Sequence, residues 1–106
     1  VVLINRGSAS ASEVLSVALH DNKKATLVGE KSFGKGIIQS IFPISNGGKT
    51  EGIKMTIAEY FGPNGTKIHK VGLEPDYKVE QKNNSKIGIE HLDTDSQLKK
   101  AIELLK

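Results

Sequence analysis

The chain has 106 residues, with 15 Lys and Arg against 12 Asp and Glu, which gives a net charge of +3. This length fits one modest domain, and 37% apolar with 25% charged residues lies within the globular range. The absence of cysteine excludes a disulfide scaffold, a thiolate zinc site and a cysteine nucleophile. No apolar run approaches the ~20 residues of a membrane span. The lysines lie singly or in pairs without interleaved aromatic residues, so the charge does not indicate nucleic-acid binding.

The first 30 residues predict a strand, a helix and a second strand. Residues 1–5 are a continuous apolar run that predicts a strand buried on both faces. From Ser10 onward, apolar residues recur at helical spacing on a wide face, which predicts a helix buried on most sides. Residues 25–28 form a second short apolar run, so the three elements predict a right-handed crossover unit. Because the chain opens within an apolar strand and without a signal peptide, we expect it to be a piece of a longer protein.

The rest of the chain predicts an antiparallel hairpin and a terminal helix. We expect a glycine-rich loop at 29–36, strands at 37–44 and 52–61, turns at 46–48 and 63–65, a short strand at 67–71 and a polar linker at 78–84. Thr94 and Gln97 predict a capping box for the final helix, whose apolar stripe ends at Leu105. The fold class is therefore α/β, or α+β with one mixed sheet and a C-terminal helix.

Two familiar kinds of site find little support. The three histidines, His20, His69 and His91, each stand alone, without a second ligand at metal-binding spacing or a Gly-x-Ser-x-Gly motif. The loop at 29–36 resembles a phosphate-binding P-loop, but Gly36 stands where Ser or Thr should hold magnesium. A strand follows this loop, whereas a phosphate site needs a helix there. Nucleotide binding thus remains an alternative without a proper motif, and we expect no cofactor and no metal.

The turn at 7–13 is the third candidate, because small residues there lie between a buried strand and a buried helix. A serine at a helix start can attack a carbonyl group while neighbouring backbone N–H groups hold the oxyanion. The same residues also have a purely structural interpretation. Ser10 with Glu13 three residues later is a capping box, and serine is a preferred N-cap.

A serine nucleophile here needs a lysine as its base, since no histidine fits. A lysine amine can serve when burial in an apolar cleft favours its neutral form. Lys35 lies between two glycines ahead of an apolar strand, whereas its rival Lys31 adjoins Glu30, which favours the charged form. Gln39 follows Lys35 by four residues on the same strand face, ~13 Å along a regular strand. A direct hydrogen bond between the two therefore requires a bend at Gly36, and Gln39 could equally be a surface residue.

Five motifs in order resemble the carboxyl-terminal processing peptidases, also called tail-specific proteases. They are NRGSASASE at 5–13, GEKSFGKG at 29–36 with Gln39, KMTIA at 54–58, PNG at 63–65 and GLEPD at 72–76. The resemblance covers residues 1–79. It implies that Ser10 is the nucleophile, that Lys35 is the base and that Gln39 orients Lys35. It also implies that the backbone N–H of Ala11 is one oxyanion donor and that the substrate is a polypeptide cut near its C-terminus.

The resemblance also indicates which parts of the family's proteins are not in this sequence. Residues 1–79 match the second half of a crotonase- or Clp protease-like catalytic core, and residues 80–106 form the linker and C-terminal helix. The family's PDZ domain and the upstream half of its core, with a further oxyanion donor, are not in the sequence. We therefore expect an extracytoplasmic bacterial protein, tethered to a membrane outside this chain, whose isolated fragment is inactive and self-associates through its exposed apolar edge. The alternative from a different class is a non-catalytic peptide-binding scaffold, against which the intact Ser10, Lys35 and Gln39 argue.

Overall fold

The structure is a computed structural model that describes residues 1–106, except for the side chain of Asn46. Its elements are β1 (Val2–Ile4), α1 (Ala11–Asp21), β2 (Leu27–Gly29), β3 (Ile37–Asn46), β4 (Lys49–Glu59), β5 (Tyr77–Lys78), a 3-10 turn (Ile89–His91) and α2 (Ser96–Leu105). Parallel and antiparallel strands both occur alongside helices, so the predicted α/β class is confirmed. The two kinds of pairing lie in separate sheets.

The parallel sheet has the strand order β1–β2–β5, and α1 connects β1 to β2. The predicted strand–helix–strand unit is therefore confirmed. The pairing of β1 with β2 runs from Val2 opposite Leu27 to Ile4 opposite Gly29. Gly29 has a φ of 125°, and a Cβ atom there would collide with the carbonyl oxygen of Ile4. Because β1 and β2 are parallel, the segments that follow them emerge side by side at one edge of the sheet.

One sequence prediction after the hairpin is wrong, and one short strand was not predicted. Residues 67–71 do not form a strand, since Lys67 makes only an isolated bridge to Phe61. The chain then turns, because the Gly72 N–H donates to the Ile68 carbonyl at 2.8 Å and Lys70 has a φ of 60°. The unpredicted strand is β5, which includes only the first residue of the polar stretch expected at 78–84. Its short polar sequence pairs with β2 at the sheet edge, a pairing that hydropathy does not reveal.

The hydrophobic core is small and lies between α1, the parallel sheet and the segment that carries Ile68 and Leu73. Its other members are Ile4, Val17 and Leu27. The prediction that α1 is buried on most sides is wrong, because Leu15 is 61% exposed. The prediction that β1 is buried on both faces is also wrong, because Leu3 is 42% exposed. Each element therefore buries one face and presents apolar side chains on another.

The strands β3 and β4 form a long antiparallel hairpin that gives the molecule its 60 Å extent. Gly47 and Gly48 form the two-residue turn with φ values of 55° and 84°, as a type I′ turn requires. The pairing shifts by one residue between Ile38 and Gln39, which is a β-bulge. Every residue of β4 is exposed. The hairpin thus contributes to the site only through its base, where β3 begins and β4 ends.

The terminal helix α2 packs against β1 and β2, but its N-terminus differs from the prediction. Asp95, not Thr94, is the N-cap, and its carboxylate accepts the Leu98 N–H at 2.9 Å. The Gln97 side chain, expected to complete a capping box, instead donates to the carbonyl of Val79 at 2.9 Å. The prediction assigned the cap one residue too early because both Thr94 and Asp95 are residues that can cap a helix. No helix among the described residues is long and apolar enough to span a membrane.

Candidate active site

The turn between β1 and α1 is held in shape by Asn5. The Asn5 side chain accepts the Gly7 N–H at 2.8 Å, and its carbonyl accepts the Ser8 N–H at 2.9 Å. The turn delivers Ser10 to the N-cap of α1 with φ of 55° and ψ of −114°. A positive φ is uncommon for a residue with a Cβ and is found at functional sites that the surrounding structure over-determines.

Ser10 is tied to the helix through its backbone. Its N–H donates to the Glu13 carboxylate at 2.9 Å, and its carbonyl accepts the N–H groups of Glu13 and Val14 at 2.9 and 3.0 Å. Within the described residues, the Ser10 hydroxyl makes no capping hydrogen bond. The predicted capping-box pairing of Ser10 with Glu13 is present, and its well-defined hydrogen bond is the one to the Glu13 carboxylate. Ser10 therefore fits both the structural and the catalytic interpretation.

Glu13 joins the helix start to the glycine-rich loop. Its side chain is completely buried and accepts four hydrogen bonds. Besides the Ser10 N–H, the donors are the Ser32 hydroxyl at 2.5 Å, the Gly34 N–H at 2.7 Å and the Lys35 N–H at 2.8 Å. Burial of the carboxyl opposes its ionisation, but these four hydrogen bonds outweigh burial and hold the pKa of Glu13 below its usual value.

This carboxylate places Ser10 beside Lys35. The backbone nitrogens of both residues donate to the same oxygen of Glu13, Oε2, at 2.9 and 2.8 Å. The two nitrogens can therefore be no farther apart than the sum of those distances. The sequence analysis assigned Glu13 only to a helix cap, and its function as the link between the two candidate catalytic residues was missed. A carboxylate completely buried at a helix start would have been the signal, but burial is not visible in sequence.

The other side of the glycine-rich loop packs against the segment that ends the core. The Lys70 N–H donates to the Gly34 carbonyl at 2.9 Å, and the Leu73 N–H donates to the Ser32 hydroxyl at 2.7 Å. A Cβ on Gly36 would lie 2.6 Å from the backbone nitrogen of His69. The loop is thus fixed from both sides, and glycine at position 36 is a steric requirement.

The same contacts leave the P-loop alternative unsupported. A P-loop directs its backbone N–H groups toward phosphate, whereas the N–H groups of Gly34 and Lys35 already donate to Glu13. The residues that follow form β3, and not a helix whose N-terminus could receive a phosphate.

Of the two candidate lysines, the structure leaves Lys35 the freer. Lys35 is partly buried and makes no ion pair among the described residues. Lys31, in contrast, lies on the surface with its ammonium 2.7 Å from a carboxylate oxygen of Glu74.

Ala11 is the first residue of α1, and its N–H is directed out of the helix start. None of the described residues accepts a hydrogen bond from it. This N–H is therefore available to an oxyanion beside Ser10.

Gln39 is not brought to Lys35. It is exposed in β3, and its amide donates to the Thr56 hydroxyl at 3.4 Å. It makes no hydrogen bond to Lys35 within the part of the chain that the structure describes. The chain is irregular at the β-bulge beside Gln39, whereas the sequence analysis expected a bend at Gly36.

His20 does not replace Lys35 as the base. His20 lies near the far end of α1, about 15 Å along the helix axis from Ser10. Its Nε2 contacts Asp76 at 3.0 Å and its Nδ1 contacts Asp21 at 3.4 Å. The hydrogen bond to Asp76 raises the pKa of His20 above its usual value; burial opposes this rise, and Asp21 adds to it. Among the described residues, no group of three or more His, Asp or Glu is arranged to hold a metal ion.

Comparison with known proteins identifies the family of this chain. The profile of peptidase family S41 matches residues 1–79. The chain belongs to peptidase family S41. The carboxyl-terminal-processing protease of Synechocystis sp. is 58% identical over 76% of this chain and 18% of its own length. The chloroplastic C-terminal processing peptidase of Tetradesmus obliquus is 48% identical over 76% of this chain and 17% of its own length.

A solved structure supports the same family. The photosystem II D1 C-terminal processing protease superposes on 85% of this chain and 22% of its own chain, with a TM-score of 0.73 and 41% identity. The predicted resemblance and the α/β protease fold are therefore confirmed. The chain spans about a fifth of the length of these S41 relatives.

Proposed function

We propose that this chain carries the nucleophile and the general base of a serine endopeptidase, with Ser10 as nucleophile and Lys35 as base. One observation carries the proposal: a single buried oxygen of Glu13 accepts the backbone N–H groups of both residues. A second feature supports it further, since Lys35 is partly buried in a loop fixed on both sides.

The proposed reaction is acyl transfer. The Ser10 hydroxyl oxygen attacks the peptide carbonyl carbon, and its proton passes to the neutral amine of Lys35. The oxyanion that forms accepts the Ala11 N–H, and a second donor comes from outside this chain. The Lys35 ammonium then gives its proton to the leaving amine as the C–N bond breaks. Water hydrolyses the acyl-enzyme in the same way, with Lys35 again accepting a proton.

Gln39 enters this proposal as the residue that orients Lys35. Its bond to Thr56 is long, at 3.4 Å, and lies on an exposed strand. Such a hydrogen bond contributes little to stability. Breaking it therefore costs little free energy when the Gln39 amide rotates toward Lys35. We propose that Gln39 makes this rotation when the cleft is completed by the rest of the protease.

The substrate and setting follow from the family. We propose that the complete protein is longer, with a PDZ domain and the upstream half of the core, and that it cleaves polypeptides near their C-termini outside the cytoplasm while tethered to a membrane. The support is that the chain spans about a fifth of its relatives, that one relative is named as chloroplastic and that a solved relative is named for C-terminal processing. The isolated chain should then be inactive, because losing one oxyanion donor alone costs about 100- to 1000-fold in rate.

The proposal is tested in the complete protease with a fluorophosphonate probe and a peptide substrate. Wild-type protein should be labelled at Ser10, and Ser10→Ala should lose labelling and lower kcat by a factor on the order of 10⁴ or more. Lys35→Arg should also be inactive, because a guanidinium stays protonated.

Lys31→Arg is the matched control and should cleave peptide at near the wild-type rate. Cleavage by Ser10→Ala at the wild-type rate would refute the nucleophile and favour a scaffold whose cleavage comes from elsewhere. An active Lys35→Arg beside an inactive Lys31→Arg would show that the other lysine is the base.

A further inference from the structure

Ser32 lies in the glycine-rich loop, and its hydroxyl joins the hydrophobic core to Glu13. The residue is buried, with 7% of its surface exposed. Its hydroxyl oxygen accepts the Leu73 N–H at 2.7 Å, and its proton is donated to Oε1 of Glu13 at 2.5 Å. The Ser32 N–H also donates to the Leu73 carbonyl at 3.0 Å, so these two residues are paired at two points.

The direction of these hydrogen bonds is fixed by the groups that take part. A backbone N–H can only donate, so the Ser32 oxygen must accept from Leu73. An ionised carboxylate can only accept, so the single hydroxyl proton must point at Glu13. Burial raises the pKa of Glu13, and the Ser32 hydrogen bond is the largest of the contacts that lower it. Ser32 therefore also favours the charged carboxylate to which it donates.

The core end of this chain of hydrogen bonds is rigid. Leu73 is buried in the cluster that also contains Ile4 of β1 and Leu27 of β2. A Cβ on Gly72 would lie 2.5 Å from the Ser32 carbonyl oxygen, so the two backbones are in close contact. The Ser32 hydroxyl is thus held in a fixed position relative to the parallel sheet.

The Glu13 end of the chain reaches both candidate catalytic residues. Ser32 and Gly34 hold Oε1, which fixes the plane of the carboxylate. Oε2 then points at the N–H groups of Ser10 and Lys35. Without the Ser32 hydroxyl, Oε1 would keep only the Gly34 N–H, and the orientation of the carboxylate would be less restricted.

Ser10 depends on this carboxylate more than Lys35 does. The Lys35 carbonyl is also held by the Tyr60 hydroxyl at 2.5 Å. Within the described residues, the Ser10 N–H has no acceptor except Glu13. Ser10 also has a φ of 55°, against the preference of a residue with a Cβ. A weaker bond to Glu13 would therefore relax Ser10 first and move its hydroxyl relative to Lys35.

We infer that Ser32 is a positioning residue, whose hydroxyl orients the Glu13 carboxylate so that it holds the backbones of Ser10 and Lys35 together. The inference rests on the proposed function, in which Ser10 attacks and Lys35 accepts the proton. Ser32 acts only through Glu13 and has no step of its own in the reaction. It limits the conformations that Ser10 must search before attack.

The test compares Ser32→Ala and Ser32→Thr in the complete protease, with Ser16→Ala as the matched control. Threonine keeps the hydroxyl that alanine removes. Ser16 is a buried serine of α1 whose hydroxyl donates to the Ser12 carbonyl at 2.7 Å and not to Glu13. The measurements are the rate at which a fluorophosphonate labels Ser10, and kcat and KM for a peptide. All rates are expressed per folded molecule, from the thermal unfolding curve of each variant.

Ser32→Ala should lower both the labelling rate and kcat by about 10- to 100-fold, as small displacements of a reacting group do, with little change in KM. Ser32→Thr should restore both rates toward wild type, and Ser16→Ala should match wild type. The labelling rate matters most, because it reports Ser10 reactivity without requiring a bound peptide. Ser32→Cys, whose thiol is a weak donor of similar shape, provides the same comparison if Ser32→Ala does not fold.

Two results would overturn the inference alone. One is labelling of the hydroxyl-free variant at the wild-type rate per folded molecule, and the other is a Ser32→Thr variant as slow as Ser32→Ala. A wild-type protein that is not labelled at Ser10 would instead overturn the proposed function, and the inference with it. The wild-type measurement therefore distinguishes the two failures.

Discussion

Replacing Glu13 by glutamine tests whether this buried carboxylate assembles the site. In the wild-type chain, Oε1 accepts from Ser32 and Gly34, and Oε2 accepts from Ser10 and Lys35. A glutamine amide has one oxygen and one NH₂ group in place of the two carboxylate oxygens. In either orientation, the NH₂ group therefore faces two groups that donate hydrogen bonds and cannot accept from them as the oxygen did. With the NH₂ group at the Oε2 position, both backbone N–H groups there lose their acceptor and neither can turn away.

The less costly orientation places the NH₂ group at the Oε1 position. The Ser32 hydroxyl can rotate to accept from it, but the Gly34 N–H is left buried without a partner. An unsatisfied buried donor costs about 1–3 kcal/mol, and the remaining bonds lose the strength that the charge gave them. We therefore expect Glu13→Gln to lower the free energy of unfolding by about 2–4 kcal/mol, a large part of the typical stability of a small domain.

The pH dependence gives a second readout of the same contacts. Because the folded-state pKa of Glu13 is depressed, its contribution to stability is present above the unfolded pKa of about 4.3 and is lost as pH falls through the folded pKa. Glutamine at position 13 does not ionise, so the variant lacks this pH-dependent contribution to stability. The gap in unfolding free energy between wild type and the variant should therefore narrow below about pH 4.

The assay is urea unfolding followed by far-UV circular dichroism at several pH values, with kcat measured in parallel on the complete protease. Glu103→Gln on the exposed face of α2 is the matched control and should change stability by less than about 1 kcal/mol. Unfolding of Glu13→Gln indistinguishable from this control, at neutral pH, would refute the conclusion that the carboxylate holds the loop and the helix together.

Two further predictions concern other contacts. The pKa of His20 is raised mainly by its hydrogen bond to Asp76, so its stabilising contribution is complete below the unfolded pKa of about 6.5 and is lost as pH rises through the folded pKa. The free energy of unfolding of His20→Asn, measured by urea titration, should not show this loss as pH rises. The same loss in the variant as in wild type would contradict its assignment to His20. Gly36→Ala, whose Cβ would collide with the His69 backbone, should lower kcat at least about 10-fold. Gly47→Ala at the open hairpin turn should leave kcat unchanged, and equal activity of the two variants would contradict the steric argument.

The sequence predicted what local patterns encode. Apolar runs and helical spacing identified β1, α1 and β2, and paired glycines identified the turn between β3 and β4. The ordered motifs identified the family, which the comparisons confirm. Ser10 and Lys35 were singled out because small residues and flanking glycines are local features. Their assignment as nucleophile and base stays a prediction.

What the sequence did not predict depends on contacts between distant segments. Glu13 looks like an ordinary capping residue until the loop at 32–35 folds over it. Tyr60 looks like the end of a strand, because nothing local indicates that its hydroxyl reaches Lys35. The exposed apolar side chains of Leu3 and Leu15 were predicted to be buried, because hydropathy reports a preference for burial and not the presence of a partner.

The backbone of Ser10 shows what a residue with a side chain costs the fold at this position. A residue with a Cβ at a φ of 55° and a ψ of −114° is held against its conformational preference, which typically costs on the order of 1–3 kcal/mol. Glycine would adopt these angles without that penalty. Exchanging Ser10 for glycine should therefore stabilise the fold while removing the proposed nucleophile. A serine at this strained position is what selection for the proposed activity, and not for stability, would maintain.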